Sequence, residues 1–152
     1  MFDTIVIATD GSASVQRAVD VALDVADRFD ANVYALFVVD EREVESSPES
    51  VREELRDALE NDGEDAVASV AARAGSTVTT AVREGRPAAT ISDYAREVEA
   101  DVVATGTRGR HGENRYLIGG VAESVVRRCP VPVLTVRQLE GEMDDPGDDA
   151  AA

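Results

Sequence analysis

Short runs of β-branched and apolar residues alternate along this chain with longer segments whose apolar positions recur at helical spacing. Five runs have the length of strands. Residues 4–9 (T-I-V-I-A-T) are almost continuously apolar, which is typical of a parallel strand buried on both faces. Residues 77–82 (T-V-T-T-A-V) alternate, which favours an edge strand with one wet face. The other predicted strands are residues 33–39, residues 101–105 and the run from Val131 to Val136.

Four helices are predicted between these strands, namely residues 15–29, residues 49–74, the segment opened by Arg86-Pro87, and residues 120–128. Their apolar residues form one stripe and their charges lie largely opposite. Ser12 or Ser14 is a candidate cap for the first helix. Gly63 predicts an interruption of the second, because a glycine inside a helix costs about 1 kcal/mol relative to alanine. Residues 40–48 are predicted to be a polar, acidic loop.

The alternation of strands and helices predicts a doubly wound α/β domain with a mainly parallel five-stranded sheet. Right-handed crossovers leave few layouts, and the commonest nucleotide-binding order is 3-2-1-4-5. Ligands of such sheets bind beyond the carboxyl ends of the strands, where the strand order reverses. Those ends are Thr9-Asp10-Gly11 and Gly106, so both are predicted to face one crevice.

Composition and charge narrow the class of protein. The chain has 152 residues, which fits one domain, and a formal net charge of −16. Its 15 basic residues are all arginine. So acidic a surface argues against nonspecific nucleic-acid binding and against anionic membranes. It suggests a high-salt cytoplasm, where charge repulsion is screened within about 3 Å at molar salt. An ordinary acidic cytosolic protein stays the alternative.

The remaining sequence signals fit a soluble, cytoplasmic protein. A single cysteine, Cys129, excludes an intrachain disulfide and is expected to be a packing residue. The amino-terminal residues carry no basic region typical of a signal peptide, and no apolar run approaches the roughly 20 residues of a membrane span. Residues 138–152 hold six acids and no base, and are predicted to be a disordered tail after a domain of residues 1–137.

A glycine-punctuated basic loop joins the fourth strand to the last helix. Its glycines and arginines are Gly106, Arg108, Gly109, Arg110, Gly112, Arg115, Gly119 and Gly120. Glycines allow close approach of a ligand to the backbone, and a helix N-terminus offers free N–H groups to an anion. The loop therefore predicts a phosphate cradle, although a surface loop with glycines for turns explains the same spacing. The loop matches neither the dinucleotide fingerprint nor the lysine-containing P-loop.

Few other side chains suggest chemistry. Asp10 could orient a ribose hydroxyl or adenine, hold Mg²⁺, or cap the first helix together with Ser12. His111 is the only histidine and is expected to be an exposed loop residue. We find no set of nucleophile, base and orienting group, so the sequence argues against an efficient enzyme.

Four stretches together resemble the universal stress protein family over residues 1–137. They are I-V-I-A-T-D-G-S, V-V-D-E-R-E, E-G-R-P-A-A-T-I, and A-D-V-V-A-T-G-T-R-G-R followed by G-G-V-A-E-S-V-V-R-R-C-P-V-P-V-L-T-V. The ATP-binding branch of that family carries G-x2-G-x9-G followed by Ser or Thr. Gly106, Gly109 and Gly119 match this spacing, but Gly120 replaces the hydroxyl residue.

The resemblance implies a Rossmann-like fold of the adenine nucleotide alpha hydrolase-like type, with a site for ATP, or for AMP or ADP, beside which Asp10 remains the possible Mg²⁺ ligand named above. Thr9, Asp10 and the backbone around Val38 would hold adenosine. The ribose and phosphates would meet Gly106, Arg108, Gly109, Gly119, Gly120 and Val121. The resemblance also implies a homodimer formed by the strand from Val131 to Val136, whose apolar edge needs covering.

The sequence predicts one of two functions. The first is a dimeric stress-response protein in which ATP occupancy biases conformation or partner choice. The alternative is a nucleotide-free dimer that acts only through protein–protein interaction, with a structural glycine loop. The G-x2-G-x9-G spacing favours the first function, and Gly120 favours the second. A hydrolase or transferase acting on an adenylate is disfavoured, because the catalytic set is missing.

Overall fold

The computed structural model of the chain describes residues 2–107 and 119–139. Strands and helices alternate from the first strand onward. The strands are β1 (Thr4–Ala8), β2 (Asn32–Asp40), β3 (Val78–Gly85), β4 (Val102–Gly106) and β5 (Val133–Val136). The helices are α1 (Gln16–Phe29), α2 (Glu41–Glu45), α3 (Arg52–Arg73), α4 (Pro87–Glu97) and α5 (Gly120–Arg128), and 3₁₀ turns at Ala13–Val15 and Glu49–Val51 precede α1 and α3.

The five strands form one parallel sheet in the order β3-β2-β1-β4-β5, which confirms the predicted fold class and strand order. The order reverses between β1 and β4. β3 is an edge strand, as its alternating pattern predicted, and extends three residues beyond the predicted end. β5 begins two residues later than predicted, and the carbonyl of Pro132 just before it accepts the N–H of Val103.

Helices cover both faces of the sheet, and the pleat of β1 shows why. Ile5 and Ile7 point to the layer formed by α1 and α3, whereas Val6 points to the layer formed by α4 and α5. All three side chains are at most 1% exposed. β1 is therefore buried on both faces, as its continuous apolar run predicted.

Two sequence predictions about the region after β2 are wrong. Residues 40–48 are not entirely loop, because Glu41–Glu45 forms α2, and the Asp40 side chain accepts the N–H of Arg42 at its start. Gly63 does not interrupt α3, which runs unbroken from Arg52 to Arg73. A Cβ at Gly63 would lie 2.7 Å from Cδ1 of Phe37, so glycine is needed there for close packing of α3 on β2.

The end of the described chain is packed against the domain. Gln138, which was assigned to the tail, is 5% exposed and accepts the N–H of Arg17. Residues 140–152 of the tail, like His111, lie outside the described residues. Cys129 is partly buried and packs against the α4/α5 core layer. Among the described residues, no helix has the length and apolar character needed to cross a membrane.

Candidate nucleotide site

The candidate site begins where β1 ends, at Thr9. This side chain is 7% exposed, and its Oγ1 accepts the N–H of Gly11 at 3.1 Å. Its own N–H donates to the carbonyl of Leu36 in β2 at 2.9 Å. Both interactions fix the backbone direction at the carboxyl end of β1. Thr9 therefore shapes the turn at this edge of the sheet.

Asp10 holds that turn with one oxygen of its carboxylate. Its Oδ1 accepts the backbone N–H of Ser12 at 2.9 Å and the hydroxyl of Ser12 at 2.6 Å. Ser12 Oγ also lies 2.7 Å from Ser14 Oγ. In the described part of the chain, the second oxygen of Asp10, Oδ2, has no hydrogen-bond partner. The helix cap that the sequence assigned to Ser12 or Ser14 is not formed, because neither the turn at Ala13–Val15 nor α1 has a side-chain cap. Asp10 stabilises the preceding turn instead, and its Oδ2 is left available for a ligand.

Gly11 lets this turn pass beneath α3, and sequence reasoning did not single it out as a site residue. Its φ of +77° is in the left-handed region that favours glycine. A Cβ at this position would lie 3.2 Å from Cβ of Ala66 in α3. The Asp-Gly-Ser sequence after a strand was the signal that could have identified it.

Gly106 brings the end of β4 against the start of α1. It is buried, and a Cβ there would lie 3.2 Å from the carbonyl oxygen of Ser14 and 3.4 Å from Cα of Val15. No larger residue fits without moving backbone. The end of β4 and the turn that follows Asp10 are therefore in direct contact, as the strand order predicted.

The start of α5 completes the described part of the site. Gly119 is its N-cap, and its N–H donates to the carbonyl of Thr107 just after β4. Gly119 is therefore not the free donor that the sequence suggested. The N–H groups of Gly120 and Val121 lie in the first turn, where no intrahelical acceptor exists. Gly120 is exposed and Val121 is 40% exposed, and neither amide has a backbone hydrogen-bond partner among the described residues.

Arg108 and Gly109 lie outside the described residues, so their predicted roles are not tested by the geometry. Val38 is half-buried in β2 and packs against the α4/α5 core layer. It lies two residues before Asp40, at the same edge of the sheet as Asp10. The structure thus places seven of the predicted site residues at the carboxyl end of the sheet, namely Thr9, Asp10, Val38, Gly106, Gly119, Gly120 and Val121.

Asp40 also lies at the carboxyl end of the sheet, and its side chain is paired with Arg42. Its carboxylate accepts Nε and Nη2 of Arg42 at 3.1 and 3.0 Å. Burial raises the pKa of Asp40, but the hydrogen bonds from the side chain and backbone of Arg42 outweigh burial and leave the pKa below its usual value. Asp40 is thus ionised but engaged. Within residues 2–107 and 119–139, no three side chains of the metal-binding types cluster closely enough to hold a metal ion.

A polar cavity of about 470 Å³ lies on the other side of Asp10, between α1 and α3. It is bordered by residues 9–12 and lined further by Gln16, Asp62, Asp65, Ser69 and Arg73. Arg73 hydrogen-bonds to Asp20 and Gln16 across it. Gly106 and α5 do not line this cavity, so it is separate from the contacts that join β1, β4 and α5.

Comparisons with known proteins agree with this architecture. The family model described as "Universal stress protein family" matches residues 1–137. The universal stress protein MJ0531 of Methanocaldococcus jannaschii is 36% identical over 146 residues, covering 93% of this chain and 86% of its own.

Two solved structures show the same fold. The hypothetical protein MJ0577 superposes with a TM-score of 0.81 at 25% identity, covering 92% of this chain and 99% of its own. A universal stress protein in complex with cAMP superposes with a TM-score of 0.65 at 25% identity, covering 91% of this chain and 98% of its own. Because the family model spans nearly all of the sequence and the fold agrees, this chain belongs to the universal stress protein family.

Proposed function

We propose that this protein binds an adenine nucleotide at the reversal point of its sheet and acts as a homodimeric, nucleotide-dependent switch in a stress response. The observation that carries the proposal is a continuous series of contacts at this edge. Asp10 bonds Ser12, Ser12 meets Ser14, Ser14 packs on Gly106, and Gly119 bonds the carbonyl next to Gly106. These contacts bring the free Asp10 oxygen and the open amides of α5 to the same edge.

Each part of the edge suits one part of a nucleotide. Asp10 Oδ2 accepts hydrogen bonds, which fits ribose hydroxyls or an adenine amine. The backbone near Val38 offers peptide groups to the base. The amides of Gly120 and Val121, at the positive end of the α5 dipole, suit phosphate oxygens. Arg108 and Gly109 are assigned to the phosphates from the sequence spacing alone.

We take ATP as the ligand, with AMP and ADP as the closely related choices. A structural neighbour at 25% identity is described in complex with cAMP, which supports an adenylate as the class of ligand. Mg²⁺ would reach the site with the phosphates, and Asp10 is the carboxylate proposed to hold it. No residue is assigned a catalytic role, and ATP hydrolysis is expected to be slow because the sequence offers no set of nucleophile, base and orienting group.

The second candidate is a nucleotide-free dimer acting through protein–protein contacts. Gly120 favours it, since a hydroxyl that would bind a terminal phosphate is missing. The backbone amide of Gly120 remains, however. Net, one hydrogen bond contributes about 0.5–1.5 kcal/mol. Its loss weakens phosphate binding without abolishing it, so nucleotide binding stays the preferred function.

Dimerisation is proposed through β5, the edge strand next to β4. Val133, Leu134 and Thr135 are only half-buried in the single chain, and an uncovered apolar edge promotes association. Thr135→Lys should convert the dimer to a monomer in light scattering in molar KCl. Thr79→Lys, on the opposite edge strand β3, is the matched control and should leave the dimer intact. A wild-type monomer would refute this interface.

The function is tested by denaturing purified protein and identifying released nucleotide by mass spectrometry. Gly120→Glu and Gly120→Gln form a matched pair, because a Cβ at this position meets no atom within 4 Å. The glutamate variant should lose the nucleotide through repulsion of phosphate, whereas the glutamine variant of equal size should retain it. No released nucleotide from the wild type, together with no thermal shift on adding Mg-ATP, would refute the proposal.

A high-salt cytoplasm is the setting proposed for this acidic protein.

A further inference from the structure

Arg137 directly follows β5, at the same carboxyl end of the sheet as the candidate site. Val136, the last residue of β5, pairs in register with Gly106, the last residue of β4. Arg137 therefore lies one residue beyond the paired positions, beside Thr107, at about the 4.8 Å spacing of neighbouring strands. The carbonyl of Thr107 accepts the N–H of Gly119, which is the N-cap of α5. One residue thus separates Arg137 from the start of α5.

The pleat of β5 directs the Arg137 side chain toward the layer that contains α5. Leu134 and Val136 pack in the layer of α1 and α3, whereas Val133 packs in the layer of α4 and α5. Because side chains alternate between the two faces of a strand, the position after Val136 faces the layer of α4 and α5. Gln138 returns to the other layer, where its side chain hydrogen-bonds to α1. Arg137 consequently lies on the same face of the sheet as the first turn of α5.

The backbone that carries Arg137 is held in place, while its side chain is exposed. The carbonyl of Arg137 accepts Nη1 of Arg17 at 2.8 Å. The next residue, Gln138, is 5% exposed, and its Oε1 accepts the backbone N–H of Arg17 at 3.1 Å. The Arg137 side chain is open to solvent. A fixed backbone therefore limits the positions that this guanidinium can reach to the surroundings of the start of α5.

Arg137 also differs from most other arginines in its charge environment. Most arginines that the structure describes form ion pairs with a carboxylate, for example Arg56 with Glu84 and Arg83 with Glu97. Within residues 2–107 and 119–139, no carboxylate pairs with Arg137, and its guanidinium has no hydrogen-bond partner. Acids are abundant in a chain with a net charge of −16. The positive charge of Arg137 is thus left for an anion of another molecule.

The order of the strands matches the order of the groups in a nucleotide. β2, β1, β4 and β5 lie side by side in this sequence. The proposed function places the base near Val38 in β2, the ribose near Asp10 beyond β1, and the phosphates between β4 and α5. Arg137, beyond β5, lies one strand further from Asp10 than Gly106 does. The phosphate of AMP, attached directly to the ribose, ends short of Arg137, whereas the second and third phosphates of ATP extend toward it.

We propose that Arg137 binds the second and third phosphates of the nucleotide and thereby makes the site select ATP over AMP. The planar guanidinium donates two parallel hydrogen bonds to a phosphate, which suits the highly charged end of a triphosphate. This role of Arg137 rests on the proposed nucleotide site, and it identifies the residue that distinguishes nucleotides by their number of phosphates.

The test compares two full-length variants of equal net charge, Arg137→Gln and Arg128→Gln. Arg128 provides the matched control, because it is exposed and pairs with no carboxylate in the described part of the chain. It lies at the C-terminal end of α5, far from the first turn of that helix. Dissociation constants for ATP and AMP are measured by calorimetry in 2 M KCl. Molar salt screens charges beyond about 3 Å, so the measurement reports direct contacts with the phosphates.

Arg137→Gln should weaken ATP binding by about tenfold or more, because hydrogen bonds between charged groups are the strong ones, and should change AMP binding by less than about twofold. Arg128→Gln should leave both affinities unchanged, and neither variant should alter the midpoint of thermal unfolding. Unchanged ATP affinity of Arg137→Gln would overturn the inference, as would an equal loss for ATP and AMP or an equal loss in the control. If the wild type binds neither nucleotide, the proposed function fails first and the role of Arg137 with it.

Discussion

At the residue scale, the two carboxylate oxygens of Asp10 differ in what they contact. Asp10 uses Oδ1 to hold the turn through Ser12 and keeps Oδ2 free among the described residues. The sequence left helix capping and ligand binding as two readings of this aspartate. The geometry assigns Oδ1 to the turn before the helix, which has no side-chain cap, and leaves Oδ2 able to bind a ligand. Gly106 and Gly11 differ from Asp10, because their role is to let backbone and side chains approach closely.

Gly120 is the residue at which the sequence departs from the ATP-binding pattern, and it offers a gain-of-function prediction. Gly120→Ser should strengthen ATP binding by about 2- to 12-fold, which corresponds to one net hydrogen bond of about 0.5–1.5 kcal/mol. The fold should tolerate the change, since a Cβ there meets no atom within 4 Å. Calorimetry measures the ATP affinity. Gly120→Ala is the control for the added methylene, and equal ATP affinity of the two variants would contradict a phosphate end at this position.

At the scale of elements, apolar periodicity predicted the five strands and the four long helices, and the rules for crossover connections gave the strand order. The errors lie where contacts distant in sequence override local preference. Gly63 looked like a helix breaker, yet Phe37 in β2 occupies the space where its side chain would be. α2 is only five residues long and begins with an aspartate cap, a signal that the acidic composition hid. Gln138 was counted as tail because its partner, Arg17, lies 121 residues away.

A buried serine hydroxyl in α4 predicts a stabilising mutation. Ser92 is 3% exposed, and its hydroxyl has no hydrogen-bond partner among the described residues. An unsatisfied buried hydroxyl costs about 1–3 kcal/mol, and alanine also has the higher helix propensity. Ser92→Ala should therefore raise the free energy of unfolding by roughly 1–2 kcal/mol, measured by urea denaturation in molar KCl.

Ser69→Ala separates these two contributions. Ser69 is exposed within α3, so this variant gains helix propensity without relieving a buried group. Its gain should be clearly smaller than that of Ser92→Ala. A destabilised Ser92→Ala protein would show that the hydroxyl is satisfied in solution, by a water molecule for example.

At the scale of the whole molecule, the large negative charge is expected to control how stability depends on salt. A net charge of −16 on 152 residues repels itself, and salt screens that repulsion. The midpoint of thermal unfolding should therefore rise by at least about 5 °C between 0.1 M and 2 M KCl, as followed by circular dichroism. The midpoint should rise less in a variant with six exposed acids changed to Asn or Gln, namely Asp24, Asp27, Asp30, Asp93, Glu97 and Glu99. Equal stability at both salt concentrations would argue against adaptation to high salt.

The central claim is that an adenine nucleotide binds where β1, β4 and α5 meet. Titration calorimetry of ATP into nucleotide-stripped protein in 2 M KCl tests it most directly. We predict one site per chain, and an affinity reduced by about 10- to 100-fold in Asp10→Asn, because hydrogen bonds to charged groups contribute about 1.5–3 kcal/mol. Asparagine keeps an oxygen to accept from Ser12, so the thermal midpoint should be unchanged. Absence of binding heat at millimolar ATP, or equal affinity of the two proteins, would contradict the account.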